Sequence, residues 1–177
     1  MNAAWRILFG IALVAILAFQ QLEIATLHED IQDIKVYLIK TQSRLQHTKA
    51  EEECLARNIF YEAGVEDRLG KFAVAQVTLN RLKEGRWGKD ICKVVYAKAQ
   101  FSWTLDKKKR NSQPKGPLWE ESKTVALQVL KEGYRVKGLE ESTYYHADYI
   151  RHPVWSRSVV KIQQIGQHIF YKKPYPA

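Results

Sequence analysis

The sequence predicts an α+β, mainly helical domain with a small β part, preceded by an apolar N-terminal helix and a coiled-coil-like stalk. Three observations predict it. Apolar side chains recur at helical spacing over much of residues 54–131, aromatic and β-branched residues take over from Ser142, and residues 7–48 hold an uncharged run followed by a heptad seam. A chain of 177 residues has room for one core of ordinary size plus an appendage, and not comfortably for two domains. The division expected is a signal anchor or transmembrane segment at 1–21, a helical heptad stalk at 22–50 and a functional domain at 51–177.

The first element is "ILFGIALVAILAF", residues 7–19, which carries no charge and follows Arg6. It is shorter than the roughly 20 residues of a comfortable membrane span and has the length of a signal-sequence core. No clean A-x-A cleavage site follows; Ile16-Leu17-Ala18 is a poor substitute. The expectation is therefore an uncleaved anchor in the inner or cytoplasmic membrane, with Arg6 inside and the domain exported to the periplasm or the cell-wall side.

Ile24, Leu27, Ile31, Ile34, Leu38, Thr41, Leu45 and Thr48 then step by three and four in strict alternation. Such a seam fits a coiled coil and hence a homo-oligomer. The two threonines weaken its C-terminal half, so a single amphipathic spacer helix stays open as the alternative.

The acidic run Glu51-Glu52-Glu53 favours a helix start at that point, because negative charge suits the N-terminal end of a helix. A helix is expected from there to about Ala63, interrupted by Gly64 and "GVEDRLG". A second, from about Arg68 to Lys83, is apolar on most faces (Leu69, Phe72, Ala73, Val74, Ala75, Val77 and Leu79), as a central buried helix would be. "EGRWGKD" reads as a turn, Ile91 to Ala97 as a short helix, and "LDKKKRNSQPKGP" as an exposed loop. Leu118 to Lys131 is a further helix, ending near Gly133. "STYYHADYI" and "HIFYKKP" read as short strands.

Charge is unevenly spread. Residues 1–53 carry five basic against seven acidic side chains, a net of −2, which leaves +11 for residues 54–177. Such a field favours a polyanionic partner: nucleic acid, an anionic membrane face or an acidic wall polymer. Export would remove nucleic acid from reach. The two cysteines, Cys54 and Cys92, show no short metal-type spacing.

Leu55, Ile59 and Glu62 share one helical face, which sets a carboxyl where an apolar side chain would be expected. A carboxyl against apolar neighbours ionises reluctantly and can keep a proton to donate near neutral pH, as glycosidic cleavage requires at the leaving oxygen. A pairing of Glu62 with Arg or Lys is the bland alternative. Glu66, four residues on, is a candidate second carboxylate, although a turn or capping role beside Asp67 competes. In "AQFSW", Gln100 and Ser102 offer hydrogen bonds while Phe101 and Trp103 offer flat apolar faces that suit sugar rings; a core role is the alternative for the aromatics. His146, Asp148 and His152 lack metal-ligand spacing and a third strong ligand, so no metal and no cofactor are expected. A Cys54–His146 pair, or Ser102 with His146 and Asp148, is conceivable as a nucleophilic arrangement without a supporting signature.

Taken in order, "CLARNIFYEA", "GKFAVAQVTLNR", "DICKVVY", "QFSW", "YYHADY" with Trp155, and "QIGQHIFY" resemble the catalytic domain of the SleB/CwlJ-type cell-wall hydrolases, which include spore-cortex-lytic enzymes and bacterial and phage relatives, endolysins among them. The resemblance spans nearly all of residues 54–177. It implies a lysozyme- or lytic-transglycosylase-like fold with substrate in a groove between a helical part and a small β part. On that likeness Glu62 is the general acid/base, and Tyr61, Gln100, Phe101, Ser102, Trp103, Tyr145, His146 and Trp155 line the groove. Cys54 and Cys92 match the family's paired cysteines, which implies a disulfide. Two departures stand out: Gly64 where many members have Arg, and an anchor and stalk in place of a separate wall-binding module.

The activity so implied is cleavage of peptidoglycan glycan strands between N-acetylmuramic acid and N-acetylglucosamine, by a lytic transglycosylase or a muramidase. A transglycosylase needs one acid/base; hydrolysis needs a second group to position water, for which Glu66 and Asp148 are the candidates. The alternatives are an amidase or peptidase acting on stem peptides, and a membrane-tethered protein that only binds the wall.

Overall fold

A computed structural model describes residues 3–151 and 153–174, with the backbone alone for residues 3–9, 12, 15 and 40–48. The chain forms two compact units, Met1–His47 and Thr48–Ala177. The first is helical, part of α1 (Ala3–Ala63). Its seam residues Ile24, Leu27, Ile31, Ile34 and Leu38 are exposed in the single chain; the side chains of Thr41, Leu45 and Thr48 lie outside the described residues. Among the described residues no helix is long and apolar enough to cross a membrane.

The second unit is mainly helical with a small sheet. Its helix α1 is already formed at Ala50 and passes through Glu51, Glu52 and Glu53 without a break, so the helix start expected there is absent. No glycine or proline interrupts the segment, and its Lys, Ala and Glu residues are good helix formers. The acids serve tertiary contacts instead. Glu52 pairs with Lys131 at 2.8 Å, and Glu51 accepts the Ile91 amide at 3.2 Å.

Helix α2 (Arg68–Glu84) begins where Asp67 accepts the Gly70 amide at 2.7 Å and ends at Gly85, whose φ of 77° closes the helix. Residues 70–78 are all buried, as expected of a central helix; Leu69, at 43% exposure, and Leu79, partly buried, are the exceptions. Around α2 pack the end of α1, α3 (Ile91–Val95) and α5 (Pro117–Lys131), with Leu55, Ile59, Val77, Val95, Val125 and Phe170 in one core. Each such side chain, fully buried, contributes about 1.5–3 kcal/mol. A disulfide joins Cys54 of α1 to Cys92 of α3 with Cα atoms 5.2 Å apart.

The segment expected to be a plain loop contains a 3₁₀ turn (Ser102–Leu105) and a short helix, α4 (Lys107–Asn111). Asp106 caps α4 by accepting the amides of Lys108 and Lys109. Arg57 of α1 holds its far end, donating to the carbonyls of Ser112, Lys109 and Arg110 at 2.7, 3.0 and 2.9 Å. The basic side chains of α4 stay exposed while its backbone is tied down.

Three antiparallel strands, β1 (Tyr144–Ala147), β2 (Val160–Ile165) and β3 (His168–Lys172), form a sheet in the order β1-β3-β2. Tyr145 lies opposite Phe170, and a register shift falls between Lys161 and Gln163 of β2. Two of the strands match expectation; β2 was not expected. It is an edge strand with an irregular pairing and two central glutamines, so its sequence lacks a clean apolar alternation.

Candidate active site

An open cleft of about 470 Å³ lies between the helices and the sheet. Tyr61 and Glu62 enter it from the last turns of α1, and Arg81 from α2. Ala99, Gln100, Ser102 and Leu105 come from the connection before α4; Tyr145 and His146 from β1; Trp155 from the following 3₁₀ turn; and His168 from β3.

Glu62 is partly buried, one turn beyond Ile59, and its Oε2 accepts a 2.9 Å hydrogen bond from the Tyr145 hydroxyl. Burial pushes its carboxyl above the usual carboxylate range; the Tyr145 hydrogen bond and the charges of Arg81 and Lys109 pull the other way and only partly offset it. A carboxyl so placed keeps its proton to higher pH than an exposed glutamate. Burial likewise pushes the Tyr145 hydroxyl well above the ordinary tyrosine value, so it remains a donor.

Arg81 was not singled out from the sequence. Its Nε donates to the Thr143 carbonyl at 2.9 Å, and its guanidinium lies 4.8 Å from the Phe101 ring centroid. Among the described residues its Nη1 is buried without a hydrogen-bond partner. Burial lowers its pKa from the ordinary arginine value, which Tyr145 and Glu62 oppose. The available signal was an arginine near the end of an otherwise apolar helix, where a buried cation needs a reason.

The structure sorts "AQFSW" into two faces. Gln100 and Ser102 line the cleft, whereas Phe101 and Trp103, 2% and 3% exposed, belong to the core. The expectation that both aromatics line the groove is therefore corrected: a residue this buried has no face to offer a sugar. Trp103 instead supports the cleft wall. Its ring stacks on Tyr61 with centroids 4.6 Å apart, and its Nε1 donates to Asn58 at 2.9 Å. Tyr61 is fixed at its other end by its hydroxyl, which contacts the Lys109 carbonyl at 3.0 Å and the Ser112 hydroxyl at 2.6 Å. Ala99, on the cleft, has φ of 59°, a left-handed conformation costly for a residue with a Cβ.

His146 is buried at the cleft margin with both ring nitrogens engaged: Nδ1 lies 2.8 Å from the Ala147 carbonyl and Nε2 2.8 Å from the Tyr171 hydroxyl. Trp155 packs edge-on against it, with centroids 5.8 Å apart. Cys54 is in the disulfide, so the conceivable Cys54–His146 pair does not exist, and a Ser102–His146–Asp148 relay finds both histidine nitrogens taken. His152 lies outside the described residues. Among those described, no group of three or more His, Cys, Asp and Glu side chains is arranged to hold a metal.

Neither candidate second carboxylate lines the cleft. Asp148 is exposed and accepts from Gln164 Nε2 at 2.9 Å. Glu66 is sealed behind the cleft wall, its side chain 7% exposed, and its carboxylate accepts the Gln167 amide at 3.2 Å. In front of it stands His168, a cleft residue that the sequence reading carried only within "QIGQHIFY" and did not single out.

A cell wall hydrolase family model matches residues 65–171. In structure the chain is similar to the catalytic domain of the germination-specific lytic transglycosylase SleB from Bacillus anthracis, at 24% identity and a TM-score of 0.58, over 69% of this chain and 93% of that one. It is equally similar to the catalytic domain of the Bacillus cereus SleB protein, at 24% identity and a TM-score of 0.60, over 70% and 91%. Among curated proteins none matches the sequence.

Proposed function

Because the chain belongs to the cell wall hydrolase family, we propose that its cleft cleaves peptidoglycan glycan strands between N-acetylmuramic acid and N-acetylglucosamine, with Glu62 as general acid/base. The observation that carries this reading is the protonation-favouring burial of Glu62 in the cleft wall, held by Tyr145. Glu62 gives its proton to the bridging oxygen as the bond to the anomeric carbon breaks. The carboxylate left behind then accepts the proton of the muramic C6 hydroxyl as that oxygen closes a 1,6-anhydro ring, which restores the acid. Tyr145 and Arg81 steady the transient negative charge, and Gln100, Ser102 and Trp155 supply hydrogen bonds and an aromatic face to the sugars.

The likeness to a protein described as a lytic transglycosylase agrees with a cleft into which, among the described residues, a single carboxyl projects. Mass spectrometry of muropeptides released from sacculi tests the route. Anhydro ends mark the proposed ring closure; reducing ends mark attack by water. Amidase or peptidase action would release free stem peptides instead, and the disulfide at Cys54 argues against a cysteine nucleophile.

We further propose residues 1–21 as the membrane anchor, residues 22–50 as a stalk that associates through its heptads, and residues 51–177 as the catalytic domain on the exported side. Three features support this arrangement: the uncharged run behind Arg6, the exposed seam, and a disulfide of the kind that persists in oxidising compartments. The +11 charge of residues 54–177 suits an anionic wall polymer, and export, not the charge, takes nucleic acid out of reach.

A further inference from the structure

Glu66 and His168 form a buried pair that the chemistry above leaves unused. Their side chains are 7% and 8% exposed, and His168 Nδ1 faces Glu66 Oε1 at 3.6 Å. That gap is longer than a hydrogen bond, yet among the described residues Nδ1 has no other partner. A buried ring nitrogen without a partner is costly, and the carboxylate is the acceptor within reach.

The seat of Glu66 is built for it. A Cβ on Gly70 would stand 2.9 Å from the Glu66 Cβ, and one on Gly166, where φ is 55°, would overlap Glu66 Oε2. Two glycines thus leave the space the carboxylate fills. The Gln167 amide fixes it from the turn between β2 and β3.

In front, His168 lines the cleft and packs edge-on against the Tyr145 ring, with centroids 5.1 Å apart. Tyr145 is the residue that holds Glu62. With Nδ1 buried against Glu66, the chemistry proposed below falls to the ring's other nitrogen, Nε2. Burial pushes the His168 pKa below the ordinary histidine value; Glu66 and Asp148 oppose that and His146 adds to it. The ring is therefore neutral near pH 7 and able to accept a proton.

We propose that His168 is the second proton-handling residue of the cleft: Glu66 fixes its Nδ1–H tautomer, and Nε2 takes the proton of the attacking hydroxyl once Glu62 has protonated the bridging oxygen. This rests on the reading of the cleft as a glycosidic site with Glu62 as acid, and divides between two residues what Glu62 would otherwise do alone. The bond from the anomeric carbon to the bridging oxygen breaks first, and the attacking oxygen then bonds to that carbon. One proton leaves Glu62 for the bridging oxygen, and one leaves the attacking hydroxyl for Nε2. The imidazolium formed stands beside the Glu66 carboxylate, and its proton returns to Glu62 through solvent once product leaves. The second carboxylate sought in the sequence thus acts through a histidine.

The test uses the full chain, with kcat and KM measured on solubilised glycan strands for wild type, His168→Gln, Glu66→Gln and Glu62→Gln, and melting measured for each. His168→Gln is expected to lose about 100-fold in kcat, the lower end of what a positioned base contributes, with KM within about threefold. Glu66→Gln keeps an acceptor but loses the charge, and should fall between His168→Gln and wild type. Nitrogen NMR of labelled histidines in wild type should show His168 protonated at Nδ1 and bare at Nε2, a readout that stands even if a variant fails to fold. A His168→Gln variant within about twofold of wild type in kcat, or a wild-type tautomer protonated at Nε2, overturns the proposal. An inactive Glu62→Gln beside an intact His168→Gln sinks this inference alone, whereas an active Glu62→Gln sinks the reading beneath it.

Discussion

The Tyr145 hydroxyl donates to Glu62 Oε2 across 2.9 Å, joining the first strand of the sheet to the last turns of the long helix. One hydrogen bond therefore spans the helical wall and the β wall of the cleft at the carboxyl proposed as the acid. It also favours the ionised form of Glu62, against the larger effect of burial.

Tyr145→Phe should move Glu62's pKa further up, because the hydrogen bond that it removes stabilises the carboxylate. An acid must be protonated to act, so kcat/KM falls as pH rises through its pKa, and this alkaline limb should shift to higher pH in the variant. At neutral pH the rate should drop about ten- to hundred-fold, as expected for losing a hydrogen bond to a charging group worth roughly 1.5–3 kcal/mol. A pH–rate profile of both proteins checks both effects.

Glu62 should cost the fold stability at neutral and alkaline pH. Its folded-state pKa is raised, so the folded chain binds the proton more tightly than the unfolded one. That contribution is fully present below the unfolded carboxyl value and is lost as pH rises through the folded value. Glu62→Gln, which cannot ionise, should therefore melt above wild type at pH 8, and the gap should close toward pH 4. Melting curves at both pH values decide it.

The disulfide between Cys54 and Cys92 closes a sequence separation of 38 residues and ties α1 to α3 beside the core. Reduction, or Cys92→Ser, should cost about 2–5 kcal/mol of stability. Thermal melting with and without reductant measures this directly, and a reductant-insensitive Tm would contradict it.

Two glycines with positive φ should respond differently to alanine. Gly85, at φ of 77°, has nothing within 4 Å of an added Cβ, so Gly85→Ala should cost about 1 kcal/mol, the left-handed conformation alone. At Gly166 the added Cβ would also overlap the Glu66 carboxylate, and Gly166→Ala should cost about 1–3 kcal/mol beyond that. Denaturant titration of both variants compares them.

Where local chemistry and tertiary demand agree, the sequence is legible. Asp67 and Gly85 bracket α2, the apolar run between them is its buried body, and the aromatic stretches at Tyr144 and His168 are strands. It is illegible where tertiary contact decides. Glu51 and Glu52 look like a helix start because their partners, Ile91 and Lys131, lie 40 and more residues away. Phe101 and Trp103 alternate with Gln100 and Ser102, but which pair turns to the cleft and which to the core is decided by packing with distant residues. Glu62 was found by its misplaced charge on an apolar face. Arg81 offered only the weaker sign of a cation in an apolar helix and His168 offered none, since their meaning comes from residues 62 and 66, distant in sequence.

Digestion of purified sacculi by the full chain, wild type beside Glu62→Gln, is the most direct measurement. If Glu62 is the proton donor, wild type releases fragments cut within the glycan strand, and Glu62→Gln, still folded by its melting curve, releases fewer by about 100-fold or more. A folded Glu62→Gln variant that releases the same fragments at the wild-type rate would contradict the assignment of Glu62 as the acid.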